Sequence, residues 1–189
     1  MDLILDRSSA RTLITFGDEA LELDGRDDAW VARLARLLGG RRPTALFVGL
    51  GPGSFAGIRA AIACLQGLGA GWGVRPRGFP SAAVVALASG LPEPTVVGDA
   101  RRNTLWAVRY RVTPEAILPC GGFRLFKAET FSPEPGMVSP DAGRLARFGL
   151  QEVQPSARLL AETVRRLGAT TPDPLPIYLH PAVGAAHAE

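Results

Sequence analysis

The residues best placed to do chemistry are the glycines and the single hydroxyl of Gly51, Pro52, Gly53, Ser54, Phe55 and Gly57. A continuous apolar run over 45–50 leads into them and a helical pattern follows, so the segment joins a strand to a helix. Backbone amides at such a helix start attract phosphate through unpaired N–H groups and the helix dipole. Three known chemistries can be tested against the spacing. A Walker loop needs lysine after its last glycine, and Gly57 is followed by Ile58-Arg59. The dinucleotide fingerprint needs G-x-G-x-x-G, and the Gly53 to Gly57 interval is one residue too long. A nucleophile elbow needs G-x-S-x-G, and Pro52 stands at its first glycine. All three fail on residues. What remains is the structural use of glycine, in tight turns and close helix packing. Ser54 stands where an N-cap belongs, and as a nucleophile it has no placed base, since both histidines, His180 and His187, fall in the last tenth of the chain.

Acids come next. Asp6 ends the first apolar run, where a magnesium–nucleotide site would place a carboxylate. Arg7-Ser8-Ser9 follow it, not the glycine and threonine of a phosphate-gripping turn, and an isolated acid there is commonly a turn former. Asp99 and Arg101 are a second candidate pair for a cleft. Cys64 and Cys120 stand far apart in apolar surroundings without metal or redox spacing and are expected to be buried thiols. No metal site is expected.

The elements that must position these groups are legible in part. Leu3–Leu5, Thr12–Phe16 and Glu19–Leu23 alternate with turn signals and predict an antiparallel meander. Trp30, Val31, Leu34, Leu37 and Leu38 share one helical face, with Gly39-Gly40 as the stop. The helix after Ser54 carries Phe55, Ile58, Ile62, Leu65, Leu68 and Trp72 at apolar positions, and 81–89 predicts a further helix. In the second half, 95–97, 105–112 and 123–131 read as strands, 140–148 and 156–167 as helices, and 170–176 as a loop. The order predicts an α/β fold of two lobes, residues 1–94 and 95–189.

Composition bounds the reading. With 189 residues, 47% hydrophobic and 21% charged, the chain can fill one good core or two small ones sharing a cleft. No run approaches a membrane span, and the first residues carry acids where a leader needs bases, so a soluble cytoplasmic protein is expected. A net charge of +3 and pI of 9.4 invite a nucleic-acid reading. Almost every basic residue is arginine, with Lys127 the exception, amid 22 glycines and 16 prolines. That bias fits GC-rich coding better than a selected surface.

At the glycine-rich segment, Val48-Gly49-Leu50-Gly51-Pro52-Gly53-Ser54-Phe55-Ala56-Gly57-Ile58-Arg59 resembles the G-P-G-S-F-T-G-x-R signature of the TsaB (YeaZ) family, with Ala56 in place of threonine. Gln66-Gly67-Leu68 resembles that family's following helix, Gly78-Phe79-Pro80-Ser81-Ala82 its V-S-S/T-L segment, Asp99-Ala100-Arg101 its D-A-R motif, and Tyr178-Leu179-His180 its closing Y-L-R. The resemblance implies an actin-like ATPase fold, as in acetate kinase, sugar kinases and heat-shock ATPases, built from two RNase H-like lobes. It also implies a subunit without catalysis of its own. Such a subunit pairs through first-lobe helices with the paralogue TsaD, which transfers a threonylcarbamoyl group to tRNA adenosine with the ATPase TsaE attached. The expected partner-binding residues are Trp30, Arg33, Leu34, Ala56, Arg59, Ala60 and Ala63. No cofactor is expected on the chain alone. ATP or ADP would belong at the partner junction, tRNA would be met only through the complex, and the same surface would also serve a homodimer.

Several positions depart from the pattern. Arg7 follows Asp6, Thr104 replaces a glutamate, Trp106 a tyrosine and His180 the closing arginine, which bears on the choice of partner more than on the fold. Two rival functions stay open: a small actin-like kinase or ATPase using the glycine-rich loop with Asp6 or Asp99, and a nucleic-acid module using the arginines.

Overall fold

The structure is a computed structural model and describes residues 1–141 and 143–180. Strands β1 (Asp2–Asp6), β2 (Arg11–Phe16) and β3 (Glu19–Asp24) form the expected antiparallel meander. Helix α1 (Trp30–Leu38) follows and stops at Gly39, whose left-handed φ of 54° closes the last turn. Strand β4 (Ala45–Gly49) runs parallel to β1 on one side and to β5 (Pro76–Phe79) on the other, which accounts for its unbroken apolar run. Between them lies α2 (Phe55–Trp72), started by the Ser54 hydroxyl, which accepts the Gly57 amide as the sequence predicts. The first sheet therefore has the order β3-β2-β1-β4-β5, the RNase H-like arrangement.

The second sheet repeats that order without repeating its sequence. Strands β6 (Thr95–Arg101), β7 (Thr104–Val112) and β8 (Ile117–Pro119) are antiparallel, and β9 (Arg124–Lys127) pairs with the other end of β7. Strands β10 (Met137–Ser139) and β11 (Gln151–Glu152) then add in parallel beside β6. What this lobe lacks is helix between strands. In the stretch 140–148, expected to be helical, the described residues form turns and a short 3-10 segment over Ala146–Phe148. Pro140, Gly143 and Gly149 leave too few helix-forming residues to repay nucleation.

Two helices join the lobes by exchange. Helix α3 (Ala82–Ala88), which ends the first half, packs Ala82, Ala83, Val85 and Ala86 against Val96, Trp106 and Val108 of the second sheet. Helix α4 (Leu159–Leu167), which ends the second half, packs Leu160 with Ile4 and Leu13 of the first. The Ala157 amide donates to Glu22 at 2.7 Å, and Arg166 donates to the Thr113 carbonyl at 3.0 Å, so α4 is tied to both lobes. Within the expected loop 170–176, strand β12 (Thr171–Pro172) pairs with β5 at the edge of the first sheet. The chain thus crosses back over the expected boundary at 94.

Other differences are local. The strand expected over 123–131 is limited to β9, because the chain turns at 128–130 with the Ala128 amide donating to the Asn103 carbonyl. Cys64 is only half-buried and Cys120 is exposed, since Cys120 follows the edge strand β8 instead of entering the core. No helix among the described residues is long and apolar enough to cross a membrane.

Candidate functional site

The glycine-rich loop lies where β4 opens into α2, and the protein itself takes the amides of Gly51, Ser54 and Gly57. The Gly51–Pro52 bond is cis. The Gly51 amide donates to the Ser81 hydroxyl at 3.0 Å, and the Ser81 amide donates back to the Gly51 carbonyl at 2.9 Å. The Ser54 amide donates to the Ser8 carbonyl at 2.6 Å, and the Ile58 amide to the Ser54 carbonyl at 2.9 Å. The glycines serve close approach: a Cβ at Gly53 would strike the Ser8 carbonyl, and one at Gly57 the Arg7 carbonyl. The β1–β2 turn is seated directly on the loop, with the Ser8 and Arg7 carbonyls against Gly53 and Gly57.

That turn is held from within by Arg7. Its guanidinium is buried, donates to Thr12 Oγ1 at 2.9 Å and the Gly25 carbonyl at 2.9 Å, and stacks 4.3 Å from the Trp30 ring. Asp6 beside it is 3% exposed and accepts the Ser8 amide at 2.8 Å. Burial pushes the Asp6 carboxyl above the ordinary carboxylate range, against the opposing pull of the Ser8 amide, the Ser8 hydroxyl and the Ser81 hydroxyl. The acid therefore contributes most favourably when neutral. Below the unfolded pKa, about 3.9, it is uncharged in both states, and the relative stability it confers is lost as pH rises through its higher folded value. Asp6→Asn, which keeps an oxygen for Ser8, is expected to melt at a higher temperature than the parent at pH 7, with the difference shrinking toward pH 4. A variant much less stable at pH 7 would mean that the carboxylate is needed in its charged form.

Asp6 faces a cleft between the lobes, with Ser8, Ser81, Trp106 and Asp141 also in its wall. The space inside is about 20 Å³, on the scale of a single water, whereas small-molecule sites run from roughly 300 Å³ upward. Asp141 is likewise pushed up by burial, with the Arg144 and Arg101 charges and a backbone hydrogen bond from Asp99 opposing and the Asp99 charge adding to the rise. Asp99 and Arg101, expected to share a cleft with Asp6, instead line a separate open cavity of about 320 Å³ in the second lobe. Arg102, Asn103, Thr104, Arg144 and Arg147 line it too.

Two of the sequence departures meet. His180 Nε2 lies 2.9 Å from the Ala100 carbonyl, which only accepts, so this nitrogen carries the proton. It is also 3.1 Å from the Thr104 hydroxyl, which donates to the Arg101 carbonyl at 2.6 Å. Thr104 and His180 thus pin the last described residues to the β6–β7 hairpin. Trp106 is buried, edge-on to Phe123 at 5.8 Å, with its indole N–H unpaired among the described residues. His187 lies outside the described residues.

The expected partner-binding residues divide. Trp30 and Leu34 are 7% and 2% exposed, packed in the first-lobe core with Leu3, Phe16 and Ile58, and are not available to a partner. The apolar face of α1 that marks the helix in sequence is the face it turns inward. Arg33 is outside, paired with Asp27 at 2.8 Å. On α2, Ala56, Arg59 and Ala63 are exposed and Ala60 is half-buried. Phe55, exposed, lies between the Arg59 guanidinium at 5.2 Å and the Tyr178 ring at 6.0 Å. Ser8, Asp141, Arg144 and Arg147 carry no motif, and only the fold brings them to these sites.

No protein-family model and no curated protein matches the sequence. Solved structures do. One, described as an uncharacterized protein with similarity to peptidase YeaZ from Pseudomonas aeruginosa, has a TM-score of 0.74 at 20% identity, covering 95% of this chain and 99% of that one. Another, YeaZ from Pseudomonas aeruginosa, gives 0.73 at 20% identity over 94% and 99%. This chain has the YeaZ fold. The match runs through both lobes, so the actin-like, two-lobed class inferred from the sequence holds.

Proposed function

We propose that this chain is a TsaB-type scaffold subunit, without catalysis of its own, that binds a TsaD-type threonylcarbamoyltransferase in tRNA modification. The observation that carries the reading is the outer face of α2. Phe55, Ala56, Arg59, Ala63, Gln66, Gly67, Ala70 and Gly71 are all exposed, and Arg59 is the only charged residue in the 18 of the helix. A solvated helix face normally carries charge, and one that is apolar or small nearly all round is ordinarily covered. Small side chains let a second helix approach closely, with Arg59 and Arg33 at the rim.

The narrow interlobe cleft and the packing of the β1–β2 turn on the glycine loop support the reading of a chain without kinase chemistry by itself. ATP or ADP then belongs to the partner junction, TsaE joins through the assembled complex, and tRNA is met there. The same α2 face would support a homodimer when the partner is missing. The test is to mix the chain with the TsaD-type protein of the same genome and follow complex formation by size exclusion with light scattering. A heterodimer is expected, and separate elution with and without ATP would overturn the reading.

A further inference from the structure

We infer that the second-lobe cavity is a phosphate-binding site for a ligand carrying more than one phosphate. Four arginines, Arg101, Arg102, Arg144 and Arg147, line it from two segments about forty residues apart, against one carboxylate in its wall, Asp99, with Asp141 near Arg101 and Arg144 and Glu129 bonded to Asn103 beside it. Asp99 is engaged by Arg101 at 3.3 Å, and among the described residues Arg102, Arg144 and Arg147 form no ion pair within 4 Å. Planar guanidinium forks match phosphate oxygens in pairs, and several held around one space favour a multiply charged anion. The volume of about 320 Å³ reaches the small-molecule range.

The cavity is built on a fixed base. Leu105, Ala128 and Leu145 of its wall are buried, the two leucines packing with Phe131. Arg147 lies over the Phe148 ring at 4.7 Å and reaches Asn103 Oδ1 at 3.5 Å, while Asn103 donates to Glu129. Arg101, Arg102 and Asn103 all hold left-handed φ values, 67°, 50° and 56°. Asparagine tolerates that region, but two arginines held in it are strained, as segments retained for a function often are. Among the described residues no aromatic ring lines the cavity, so phosphate, and not a stacked base, is what it recognises.

Phosphates of this kind come from a free pyrophosphate-bearing compound or from a nucleic-acid backbone, and the experiment separates them. Inorganic pyrophosphate is titrated calorimetrically into the full chain at low salt, and a labelled 12-nucleotide RNA is followed by anisotropy. The parent is expected to bind pyrophosphate. Arg102→Gln/Arg144→Gln is expected to weaken it at least tenfold, and Arg42→Gln, an exposed arginine of the first lobe, to leave it unchanged. Melting curves check folding, and Arg102→Gln alone, at the exposed hairpin tip, serves if the double variant is unstable. RNA binding that pyrophosphate displaces assigns the site to a backbone, and pyrophosphate binding without RNA binding assigns it to a free compound. No binding of pyrophosphate at millimolar concentration, equal affinity in the double variant, or equal loss in Arg42→Gln would overturn the inference. It stands apart from the scaffold reading, since it needs no partner protein.

Discussion

Alanine at Gly53 or Gly57 is expected to lower the stability of the isolated chain by about 3 kcal/mol, near the upper end for over-packing and local backbone strain. Each added methyl would meet a backbone carbonyl of the β1–β2 turn, Ser8 for the first and Arg7 for the second. That turn cannot swing aside. Arg7 is anchored to Thr12 and Gly25, the Ser8 amide is held by Asp6, and the Ser8 carbonyl accepts the Ser54 amide. For a chain of this size the loss corresponds to roughly 6–12 °C in Tm, measurable in the absence of any ligand. Gly67 supplies the contrast. A Cβ there meets nothing within 4 Å, so Gly67→Ala is expected to stabilise the chain by about 0.5–1 kcal/mol through helix propensity. If the loop were instead an open phosphate cradle, Gly53→Ala would melt like the parent and lose only nucleotide affinity.

The second large effect concerns the α2 face. Ala63 is exposed at mid-helix, so Ala63→Arg is expected to leave stability within about 0.5 kcal/mol of the parent. In complex with a TsaD-type partner the same change places a long cation against a close-packed helix pair. It should cost at least a hundredfold in affinity, about 3 kcal/mol by the tenfold-per-1.4 rule. Arg33→Glu at the rim should cost much less, since exposed pairs contribute little. Equal affinity for Ala63→Arg and the parent would place the partner elsewhere.

How far the sequence could be read depended on element length and on Gly and Pro content. The meander, β4, α1 and α2 each carry enough residues for a period of two or 3.6 to show, and Ser54 and Gly39 mark helix ends by side-chain chemistry and backbone freedom. Strand β5 is hidden by Pro76 and Gly78, and β8, β10, β11 and β12 are two or three residues long, too short for alternation. The helix expected over 140–148 failed because proline and glycine bound it too closely.

Site residues were legible where chemistry is local and illegible where the fold assembles it. The spacing of Trp30 and Leu34 correctly marked a helix, yet a helix spends its apolar stripe on its own core first, so those two are poor candidates for a partner. Ala56 and Ala63, unremarkable by periodicity, are what α2 leaves outside. Arginines are spread along the whole sequence, but the β6–β7 hairpin brings Arg101 and Arg102 beside Arg144 and Arg147. The basic charge therefore has at least one focus.

The most direct test of the scaffold assignment is threonylcarbamoyladenosine formation on tRNA, reconstituted from the TsaD- and TsaE-type proteins of the same genome with and without this chain. The scaffold reading predicts a drop of at least tenfold in initial rate when the chain is omitted, and no rescue by Ala63→Arg. An unchanged rate without the chain would contradict it.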